Sequence, residues 1–430
     1  MFSIEERWSN WAGTFTTPKA MIYEPASIEE VSILIKQVTQ KQQTIRAMGA
    51  RHSFSGVAKP DDVGVSLTRM RGLIQLDKLK QEATFWAGTH LYEIGPLLEE
   101  HGYGLANMGD IDMQSLAGAT STGTHGTGIT LGSLSSQVTR WGLVDGEGNY
   151  REVTREDPLA QSLHIGLGLF GIVVQITIKV VPVYGLAYES SRITVQDTLA
   201  QFQSIIETNR HAEWYYFPGQ SQMQLKVMNA VPYEQLERQP TKPFDNFIEN
   251  QVLQGMSSLC KRMPQTTSLV SKISAKAVPI GARQDVSYRI FASPRQVKFV
   301  ECEYAMPLHY FEAFLEELHF TMSRELFHVH FPIECRTQKG EAGILSPTQQ
   351  QDSAFFAFHM YKGMPYKRYF RYMDHLLQKY GGRAHFGKMN RYTRCELKKQ
   401  YSDIDIFLTH QQQCDPNSVF MTEYMRKILV

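Results

Sequence analysis

A histidine stands in a short glycine-containing loop near the start of the chain. The segment "RAMGARHSFSG", residues 46–56, places His52 directly after the run from Thr44 to Met48, which predicts a β-strand. A histidine in such a loop can pack against its neighbours, ligate a metal ion or carry a covalently bound cofactor. The segment alone leaves these three interpretations open, and a histidine without special chemistry is the default among them.

A second loop-like segment, residues 107–132, is rich in glycine and other small residues: "NMGDIDMQSLAGATSTGTHGTGITLG". Glycine has no Cβ and tolerates positive φ, so such a segment lets the backbone approach a ligand closely. Its "GTHGTG" has the order G-x-x-G-x-G, which differs from the dinucleotide fingerprint G-x-G-x-x-G and disfavours an NAD site. Backbone N–H groups of this segment and of the His52 loop could nevertheless cradle a pyrophosphate together. Tight packing is the alternative for either loop alone.

Histidines and aspartates of the two loops also raise the question of a metal site. His52, His125, Asp110 and Asp112 are ligand types for a divalent cation, but no HxH or HExxH spacing supports one. The sequence therefore predicts no bound metal.

Ionisable residues recur in the second half of the chain. "IECRT" places Glu334 and Arg336 on the same face of a predicted strand, because alternate strand residues share a face. A structural salt bridge is the ordinary interpretation of such a pair. His359 lies inside the apolar run "FFAFHMY", where a core histidine is the default. "AHFGK" brings His385 and Lys388 to either side of a glycine.

Helices and strands that would position these residues alternate along the first half. Ser27 and Glu30 form a capping-box pattern before apolar residues at helical spacing, so "PASIEEVSILIKQVTQ" predicts a helix. "HLYEIGPLLEEHG" predicts a second helix, and "VTRWGLVDGEGNYREV" predicts a hairpin that turns between Asp145 and Gly148. Further strands are predicted over "VGVSLTRM", "LIQLDK", "ATFWAG" and "GLFGIVVQITIKVVP".

The pattern changes after Pro182, which marks a predicted domain edge. The stretch 232–250 is polar and contains proline, and it predicts an exposed loop. Helices are predicted over "HYFEAFLEELHFTMSRE", residues 365–380 and residues 394–400. Strands are predicted over "EWYYFPG", "QMQLKVMNAV", "DVSYRIF", "VKFVECEYAMP", "FPIECRT" and "SAFFAFHMYKG".

Length and composition bound the class of protein. A chain of 430 residues is too long for one ordinary core, and mixed helices and strands in unequal blocks predict an α+β architecture. The predicted divisions are a first domain over 1–181, a second over 182–412, and a C-terminal segment, 413–430, that packs back on the first domain.

Charge and cysteine content exclude several partners and settings. The 44 basic and 43 acidic residues give a formal net charge of +1, so nucleic acid is not an expected partner. The five cysteines are widely spaced without a CxxC pair, which predicts free thiols in a reducing compartment. Gln175 and Lys179 interrupt the longest apolar stretch, 165–181, so no membrane span is expected. The predicted location is cytoplasmic, with peripheral membrane contact left open.

Together these segments resemble the FAD-dependent aldonolactone and alditol oxidases of the vanillyl-alcohol oxidase superfamily. "NWAGTFTTPKAMIYEPASIEEV", "GARHSF", "NMGDIDMQSLAGATSTGTHGTG", "IECR", "HFGK" and "DPNSVF" occur in family order over nearly the whole chain. The resemblance implies a PCMH-type FAD-binding domain, built from N-terminal residues and the extreme C-terminus, plus a substrate-binding cap domain with a large antiparallel sheet. It also implies oxidation of L-gulono-, L-galactono- or D-arabinono-1,4-lactone by hydride transfer to flavin N5, with O2 or an electron carrier as acceptor.

Residue roles carry over at the matching positions of this sequence. The run from Ala47 to Ser53 would be the pyrophosphate loop, and the His52 imidazole would be bound covalently to the flavin 8α-methyl group. The residues implied in FAD binding are Ala47, Met48, Gly49, Ala50, Arg51, His52, Ser53, Gly109, Asp110, Ser115, Gly118, Thr122, Gly123, Thr124, His125 and Ile172. The residues implied in catalysis are Glu334, Arg336, His359 and Lys388.

The implied chemistry assigns charges but leaves the base open. Lys388 or Arg336 could stabilise a reduced, anionic flavin, because either side chain donates hydrogen bonds while it stays charged. Glu334 and His359 are both candidates for the group that accepts the substrate's hydroxyl proton.

Four positions bear on specificity. The family usually has the motif HWxK where this chain has "HFGK", so Phe386 replaces a tryptophan. Alditol oxidases tend to have serine in place of Asp110 and threonine in place of Tyr361, so both residues favour a lactone over a polyol. The resemblance implies that side-chain size at the position of Gly109 controls access of oxygen, and glycine there leaves the more open path, which favours an oxidase over a dehydrogenase.

Three alternatives remain at this point. An alditol oxidase of the same family would turn over xylitol or sorbitol. A flavin-binding protein without catalysis would be expected to have lost at least one of the four implied catalytic residues. A metal-dependent hydrolase using His52 and His125 would be colourless when purified.

Overall fold

The fold is known from a computed structural model of the chain. The model describes residues 1–238, 243–292, 297–325 and 327–430. For residues 243–251 it describes the backbone alone. The architecture is α+β, with three main β-sheets flanked by helices.

The first sheet contains the N-terminal strand at one edge and, at the other edge, the predicted strand that leads into the His52 loop. Its strand order is β1-β2-β4-β3, with β1 and β2 antiparallel and β4 parallel to both β2 and β3. Its strands are β1 (Phe2–Ser9), β2 (Thr16–Glu24), β3 (Ile45–Met48) and β4 (Val63–Ser66). The strand predicted over 44–48 is therefore confirmed as β3, whereas the hairpin of β1 and β2 was not predicted.

The second sheet is antiparallel and has the order β5-β6-β10-β8-β9. Its strands are β5 (Leu73–Asp77), β6 (Glu82–Trp86), β8 (Val138–Val144), β9 (Tyr150–Thr154) and β10 (Ile172–Lys179). The hairpin predicted around Asp145 is confirmed. A two-residue pair, β7 (Tyr103–Gly104) with β11 (Val181–Pro182), lies at its margin.

The third sheet has eight antiparallel strands in the order β15-β12-β14-β13-β17-β18-β16-β19. Its strands are β12 (Tyr184–Thr194), β13 (His211–Tyr216), β14 (Gln222–Pro232), β15 (Gly281–Val286), β16 (Phe299–Pro307), β17 (Ile333–Gln338), β18 (Ser353–Tyr361) and β19 (Arg383–Ala384). This is the large antiparallel sheet that the resemblance implies.

Helices cover the sheets and confirm the amphipathic patterns. The Ser27 hydroxyl accepts from the Glu30 N–H, so the predicted cap begins the first helix. The helices are α1 (Ile28–Gln40), α2 (Leu91–Glu99), α3 (Leu116–Thr122), α4 (Ala160–Leu163), α5 (Val195–Thr208), α6 (Pro243–Arg262), α7 (Thr267–Ala277), α8 (Ser287–Phe291), α9 (Phe311–Arg324), α10 (Lys367–Lys379), α11 (Arg394–Gln400), α12 (Ile404–Cys414) and α13 (Glu423–Leu429).

Two sequence predictions are wrong. Residues 239–242 of the predicted loop lie outside the described residues, but from Pro243 onward the chain is the helix α6. Proline fits the first turn of a helix, where its missing N–H has no partner to lose. "DVSYRIF" was predicted as a strand, yet only its first two residues belong to β15, and Ser287 begins α8. Alternation over seven residues does not distinguish a strand from a one-turn helix.

The two faces of the large sheet differ in character. Apolar residues at alternate positions pack on α5, α9 and α10, where the rings of Phe202 and Phe311 stack with centroids 3.6 Å apart. Cys302, Cys335 and Phe356 belong to this apolar face. The opposite face carries the residues between them, so the core holds the sheet while the polar side chains face the other way.

The C-terminal segment contacts the first sheet. The Ile45 N–H donates to the Val419 carbonyl at 2.8 Å, and Val419 and Phe420 pack with apolar residues of α1. The domain bounds themselves stay predictions. Within the described part of the chain, no helix combines the length and apolar content needed to cross a bilayer.

Candidate active site

A cavity opens beneath the loop that follows β3. About 1030 Å³ of space outside the protein atoms lies between residues 46–53 on one side and Ser115, Gly118 and Thr122 on the other. The two glycine-containing segments of the sequence are thus brought face to face.

The loop presents unsatisfied donors to this cavity. The backbone N–H groups of residues 49–53 donate to no acceptor among the described residues. Arg51 has φ of +62°, which lets successive N–H groups point to one side, and its guanidinium is held by Glu6 at 2.6 Å. Converging N–H groups form a nest for an anion such as a pyrophosphate.

Glycine is required where the two segments meet. A Cβ on Gly49 would lie 2.4 Å from the Ser115 hydroxyl oxygen, and a Cβ on Gly118 would lie 3.0 Å from the same oxygen and 3.7 Å from the Cα of Gly49. The Gln114 Oε1 atom, which borders the same space, is buried without a protein partner among the described residues. A close backbone approach and an unpaired buried acceptor both fit a polar cofactor that fills the cavity.

His52 lies where this cavity meets a second one. Its ring stacks on Trp11 at 5.9 Å between centroids, and it lines both spaces. Burial lowers the pKa of His52 to about 4, and the positive charge of Lys388 adds to the effect. The imidazole is therefore uncharged at neutral pH.

The second cavity, of about 1060 Å³, lies over the polar face of the large sheet. Cross-strand register collects its charged residues. Glu334 of β17 stands opposite Tyr215 of β13 on one side and Ala357 of β18 on the other. Ala357 in turn stands opposite Glu303 of β16. Directly opposed residues share a face, so four strands contribute to one surface.

Arg336 is the centre of the first charged cluster. Its Nη2 contacts Glu334 Oε1 at 2.6 Å and also contacts Asp110, while its Nε donates to Glu213 Oε2 at 3.2 Å. The Tyr215 hydroxyl donates to Glu334 Oε1 at 2.6 Å. Burial would lower the pKa of Arg336, but Asp110, Glu334 and Glu213 together raise it well above its ordinary value.

Lys388 is the centre of the second cluster. Its Nζ lies 2.6 Å from Glu301 Oε1 and 3.7 Å from Glu303 Oε2. Backbone bonds fix this arrangement, because the Met389 N–H donates to the Glu301 carbonyl at 2.9 Å. His359 Nε2 lies 3.6 Å from Glu301 Oε1, opposite it in the sheet.

The His52 loop and the "HFGK" segment are joined directly. The Phe54 N–H donates to the Gly387 carbonyl at 2.7 Å, and the Ser55 hydroxyl donates to the Phe386 carbonyl at 2.7 Å. The two charged clusters and the neutral His52 imidazole therefore border the same cavity.

Most of the implied site residues meet in the two cavities, but a few do not. The first is lined by Ala47, Met48, Gly49, Ala50, Arg51, His52, Ser53, Ser115, Gly118 and Thr122, and the second by Gly109, Asp110, Thr124, His125, Glu334, Arg336, His359 and Lys388. Ile172 is fully buried, and its neighbours Gly171 and Val173 line the first cavity instead. The Gly123 carbonyl faces His385 Nε2 at 3.2 Å. Tyr361 borders neither cavity, and its hydroxyl accepts from Gln254.

Sequence reasoning missed four charged or polar residues of the site. Glu213, Tyr215, Glu301 and Glu303 are all less than a tenth exposed. The signal was present in "EWYYF" and "VECEY", since acidic residues at alternate positions of an otherwise apolar strand are costly to bury without a function.

The arrangement does not favour a metal site. His125, Glu303 and His385 bring ligand atoms within 4.8 Å of one another. His385 Nδ1, however, accepts from the Gly387 N–H at 3.0 Å, and its Nε2 faces a carbonyl. The Lys388 ammonium beside Glu303 would also repel a dication. His52 belongs to no such group within the described residues.

Comparison with known proteins places the chain in a family. A family profile described as D-arabinono-1,4-lactone oxidase matches residues 176–428, and an FAD binding domain profile matches residues 18–154. L-gulono-1,4-lactone dehydrogenase of Mycobacterium tuberculosis is 30% identical over 98% of this chain and 99% of its own length. L-gulonolactone oxidase of mouse is 25% identical, with 98% of each chain covered.

A solved structure supports the same fold. The crystal structure of cholesterol oxidase from B. sterolicum superposes with a TM-score of 0.86 at 17% identity, covering 100% of this chain and 97% of that one. At this identity the likeness speaks for the fold alone, and the FAD binding domain is shown by the family profile over residues 18–154. The chain belongs to the D-arabinono-1,4-lactone oxidase family and is an FAD-dependent oxidoreductase that oxidises a CH–OH group of a sugar lactone.

Proposed function

We propose that the protein oxidises L-gulono-, L-galactono- or D-arabinono-1,4-lactone and holds its FAD covalently through His52. The observation that carries the proposal is the second cavity, which the Arg336 and Lys388 clusters and the His52 imidazole line together. The relatives are named as oxidases or dehydrogenases of L-gulono- and D-arabinono-lactones, and this supports the substrate class.

The lining of the second cavity suits a neutral, hydroxyl-rich substrate. Its carboxylates accept hydrogen bonds from hydroxyl groups, and its two cations donate to carbonyl oxygens. A hydrocarbon such as a sterol would displace water from these polar groups and offer no hydrogen-bonding group in its place, which is unfavourable. A lactone provides several hydroxyl groups and one polarised carbonyl.

Bound FAD supplies the chemistry that amino acids lack, since it accepts a hydride from the substrate's carbinol carbon. The protein binds the cofactor and the substrate and orients them. Arg336 is fixed by three carboxylates, so its donors do not reorganise during the reaction. Residues 49–53 would hold the pyrophosphate of FAD. Gln114, which lines the same cavity, would donate a hydrogen bond to the cofactor or accept one from it.

His359 is the better placed of the two candidate bases. Its Nδ1 faces the Pro332 carbonyl at 3.3 Å, an acceptor that fixes the hydrogen on Nδ1 and leaves Nε2 to receive a proton. Glu334 Oε1 already accepts from both Tyr215 and Arg336. We assign Glu334 to orientation of the substrate and His359 to proton acceptance.

An uncharged His52 supports the covalent link. A protonated imidazole has no lone pair with which to form a bond, whereas the low pKa of His52 keeps a ring nitrogen nucleophilic. Its stacking on Trp11 holds the ring at the junction of the two cavities.

Oxygen is the proposed acceptor. Gly109 borders the second cavity, and a Cβ there would lie 3.0 Å from the His125 carbonyl oxygen and 3.2 Å from Thr124 Cγ2. Any larger residue would narrow this corner of the site.

The test is turnover of a panel of lactones and polyols by the flavin-loaded protein. Oxygen uptake is measured in parallel with reduction of an artificial electron acceptor. The expected result is oxidation of at least one of the three aldono-1,4-lactones with oxygen consumed in step. Preference for xylitol or sorbitol would instead establish an alditol oxidase, and activity with the artificial acceptor alone would establish a dehydrogenase.

A further inference from the structure

Two buried glutamates at the site have no role in the account above. Glu301 and Glu303 occupy alternate positions of β16, face the second cavity, and are 3% and 4% exposed. Two neighbouring carboxylates repel each other and lose hydration when buried, so they persist only with strong partners.

One partner is shared. The Lys388 ammonium contacts Glu301 at 2.6 Å and Glu303 at 3.7 Å, so it is held chiefly by Glu301. With two carboxylates and one ammonium, this part of the site carries one uncompensated negative charge. A proton on a neighbouring side chain would neutralise it.

Each glutamate has such a neighbour. His359 Nε2 lies 3.6 Å from Glu301 Oε1, and His125 Nε2 lies 3.4 Å from Glu303 Oε1. In both histidines Nδ1 faces a backbone carbonyl, of Pro332 at 3.3 Å and of Gly126 at 2.9 Å. A carbonyl only accepts, so each Nδ1 carries a hydrogen, and the proton that each ring can gain goes to Nε2, beside its glutamate.

The His125–Glu303 and His359–Glu301 pairs differ in their other contacts and in their exposure. The His125 ring lies against the Phe355 ring, with centroids 3.9 Å apart, and its side chain is 3% exposed. The His359 side chain is 13% exposed and lies against the Phe299 ring. A substrate in the cavity can therefore reach His359 more readily than His125.

We propose that Glu301 is a positioning residue for lactone oxidation, which stabilises the proton that His359 receives from the substrate and fixes the Lys388 ammonium beside it. The inference rests on the proposed function, because it assigns a partner to the proposed base. Glu301 acts through these two side chains and not on the substrate itself.

The step balances in protons and electrons. The substrate's O–H bond breaks and an N–H bond forms at His359 Nε2, while the electron pair left on oxygen forms the new C=O bond. The C–H bond breaks at the same carbon, and its hydride goes to the bound FAD. The imidazolium then lies beside the Glu301 carboxylate and later returns its proton to water.

The charge states agree with this role. Burial opposes ionisation of Glu301, but Lys388 and His359 hold its pKa below the ordinary value. Burial likewise opposes charge on Lys388, while Glu301 and Glu303 raise its pKa. The titratable groups that act on the His359–Glu301 pair are Lys388, Glu303 and His385, and Glu334 acts in turn on Lys388.

The test is the protonation of His359 in flavin-loaded protein with 15N-labelled histidine, followed by NMR and assigned with His359→Gln. In Glu301→Gln the pH at which His359 is half protonated is expected to fall, since an opposite charge beside the ring is lost. Glu301→Asp keeps the carboxylate but withdraws it by one methylene, so its midpoint should lie between those of the wild type and Glu301→Gln.

Glu303→Gln is the matched control, because it makes the same change two residues along the same strand. It is expected to move the His125 signals, with a smaller effect on His359. Equal shifts of His359 in Glu301→Gln and Glu303→Gln would overturn the proposal. So would unchanged midpoints in both Glu301 variants, and Glu301→Asp supplies this result even if Glu301→Gln does not fold.

Kinetics separate the two levels of inference. With the best lactone, Glu301→Gln should lower kcat about tenfold or more, with KM changed less, and move the acidic limb of the pH profile to lower pH. No turnover of any lactone by the wild type would refute the proposed function. Turnover with an identical pH profile in the wild type and Glu301→Gln would refute the role of Glu301 alone.

Discussion

At the scale of single residues, environment decides which histidine does which chemistry. His52 is kept neutral by burial against Trp11, whereas His359 has its Nε2 3.6 Å from the Glu301 carboxylate. One ring is suited to bond formation through a lone pair, and the other to temporary storage of a proton.

Replacement of His52 tests the covalent link. His52→Ala removes the only ring nitrogen proposed to bond the flavin, so acid precipitation should release all flavin from the variant while the wild-type pellet stays fluorescent. His101→Ala, which changes an exposed histidine, is the control and should retain its flavin. Complete release of flavin from the wild type would refute the covalent link.

Gly109 tests access of oxygen. Gly109→Ala places a Cβ 3.0 Å from the His125 carbonyl oxygen and should slow oxygen-dependent turnover several-fold, with less effect on reduction of an artificial acceptor. Gly104→Ala is matched in size, and there the added Cβ meets only the Ser287 hydroxyl oxygen at 3.8 Å. Equal losses with both acceptors would show that Gly109 shapes the site and not the path of oxygen.

At the scale of elements, the turn between β1 and β2 supports the His52 loop. Asn10 Nδ2 donates to the Ser53 carbonyl at 2.9 Å and to the Thr14 hydroxyl at 2.7 Å. Its Oδ1 accepts from the N–H groups of Thr14 and Phe15. One amide thus joins the N-terminal hairpin to the loop that would bind the pyrophosphate.

Asn10→Ala removes these four bonds at once. The expected effect is a loss of about 2–3 kcal/mol in stability, together with a smaller fraction of covalently bound flavin. Urea unfolding and acid precipitation measure the two quantities. Ser9→Ala is the control, because the Ser9 hydroxyl bonds only the adjacent Asn10 carbonyl. An unchanged flavin fraction in Asn10→Ala would show that the loop needs no support from the hairpin.

Elements also show where sequence reasoning succeeds and stops. Strand periodicity places Glu334 and Arg336 on one face, because that relation lies within a single strand. It does not place Glu301 beside His359, since that contact depends on the register between β16 and β18. Strand periodicity also assigns Tyr288 to a strand, although this residue lies in α8. There its ring packs on Gly95 of α2 and its hydroxyl donates to Glu99. The family resemblance named most of the cavity-lining residues. It did not name Glu213, which pairs with Arg336, or Glu301 and Glu303, which pair with Lys388.

At the scale of the whole molecule, a buried ion network joins the N-terminal and C-terminal halves of the chain. Glu341 accepts from the Ser133 N–H at 2.6 Å and the Ser346 hydroxyl at 2.8 Å, and it pairs with His164 Nε2 at 3.0 Å. Burial opposes its charge, but His164 and Ser133 lower the pKa of Glu341 to about 2.

This network predicts a pH-dependent stability. A carboxylate with a usual pKa of 4.5 and a folded pKa of about 2 contributes about 3 kcal/mol, which is fully present above pH 4.5 and lost as the pH falls through 2. Glu341→Gln should therefore be less stable than the wild type at pH 7, and the difference should shrink towards pH 3 in urea unfolding. Glu312→Gln changes an exposed residue and should match the wild type. A difference that is the same at both pH values would refute the role of the charge.

The contact between β3 and the C-terminal segment constrains how the enzyme is made. The Arg46 guanidinium donates to the carbonyl of Phe420, 374 positions later, and the Ile45 N–H donates to that of Val419. Both donors belong to the strand that leads into the His52 loop. During synthesis this strand leaves the ribosome long before its partners, so the loop reaches its final support only after Val419 and Phe420 have emerged. Cofactor loading then becomes a step that follows synthesis of this segment, and a chain interrupted before Val419 would lack that support.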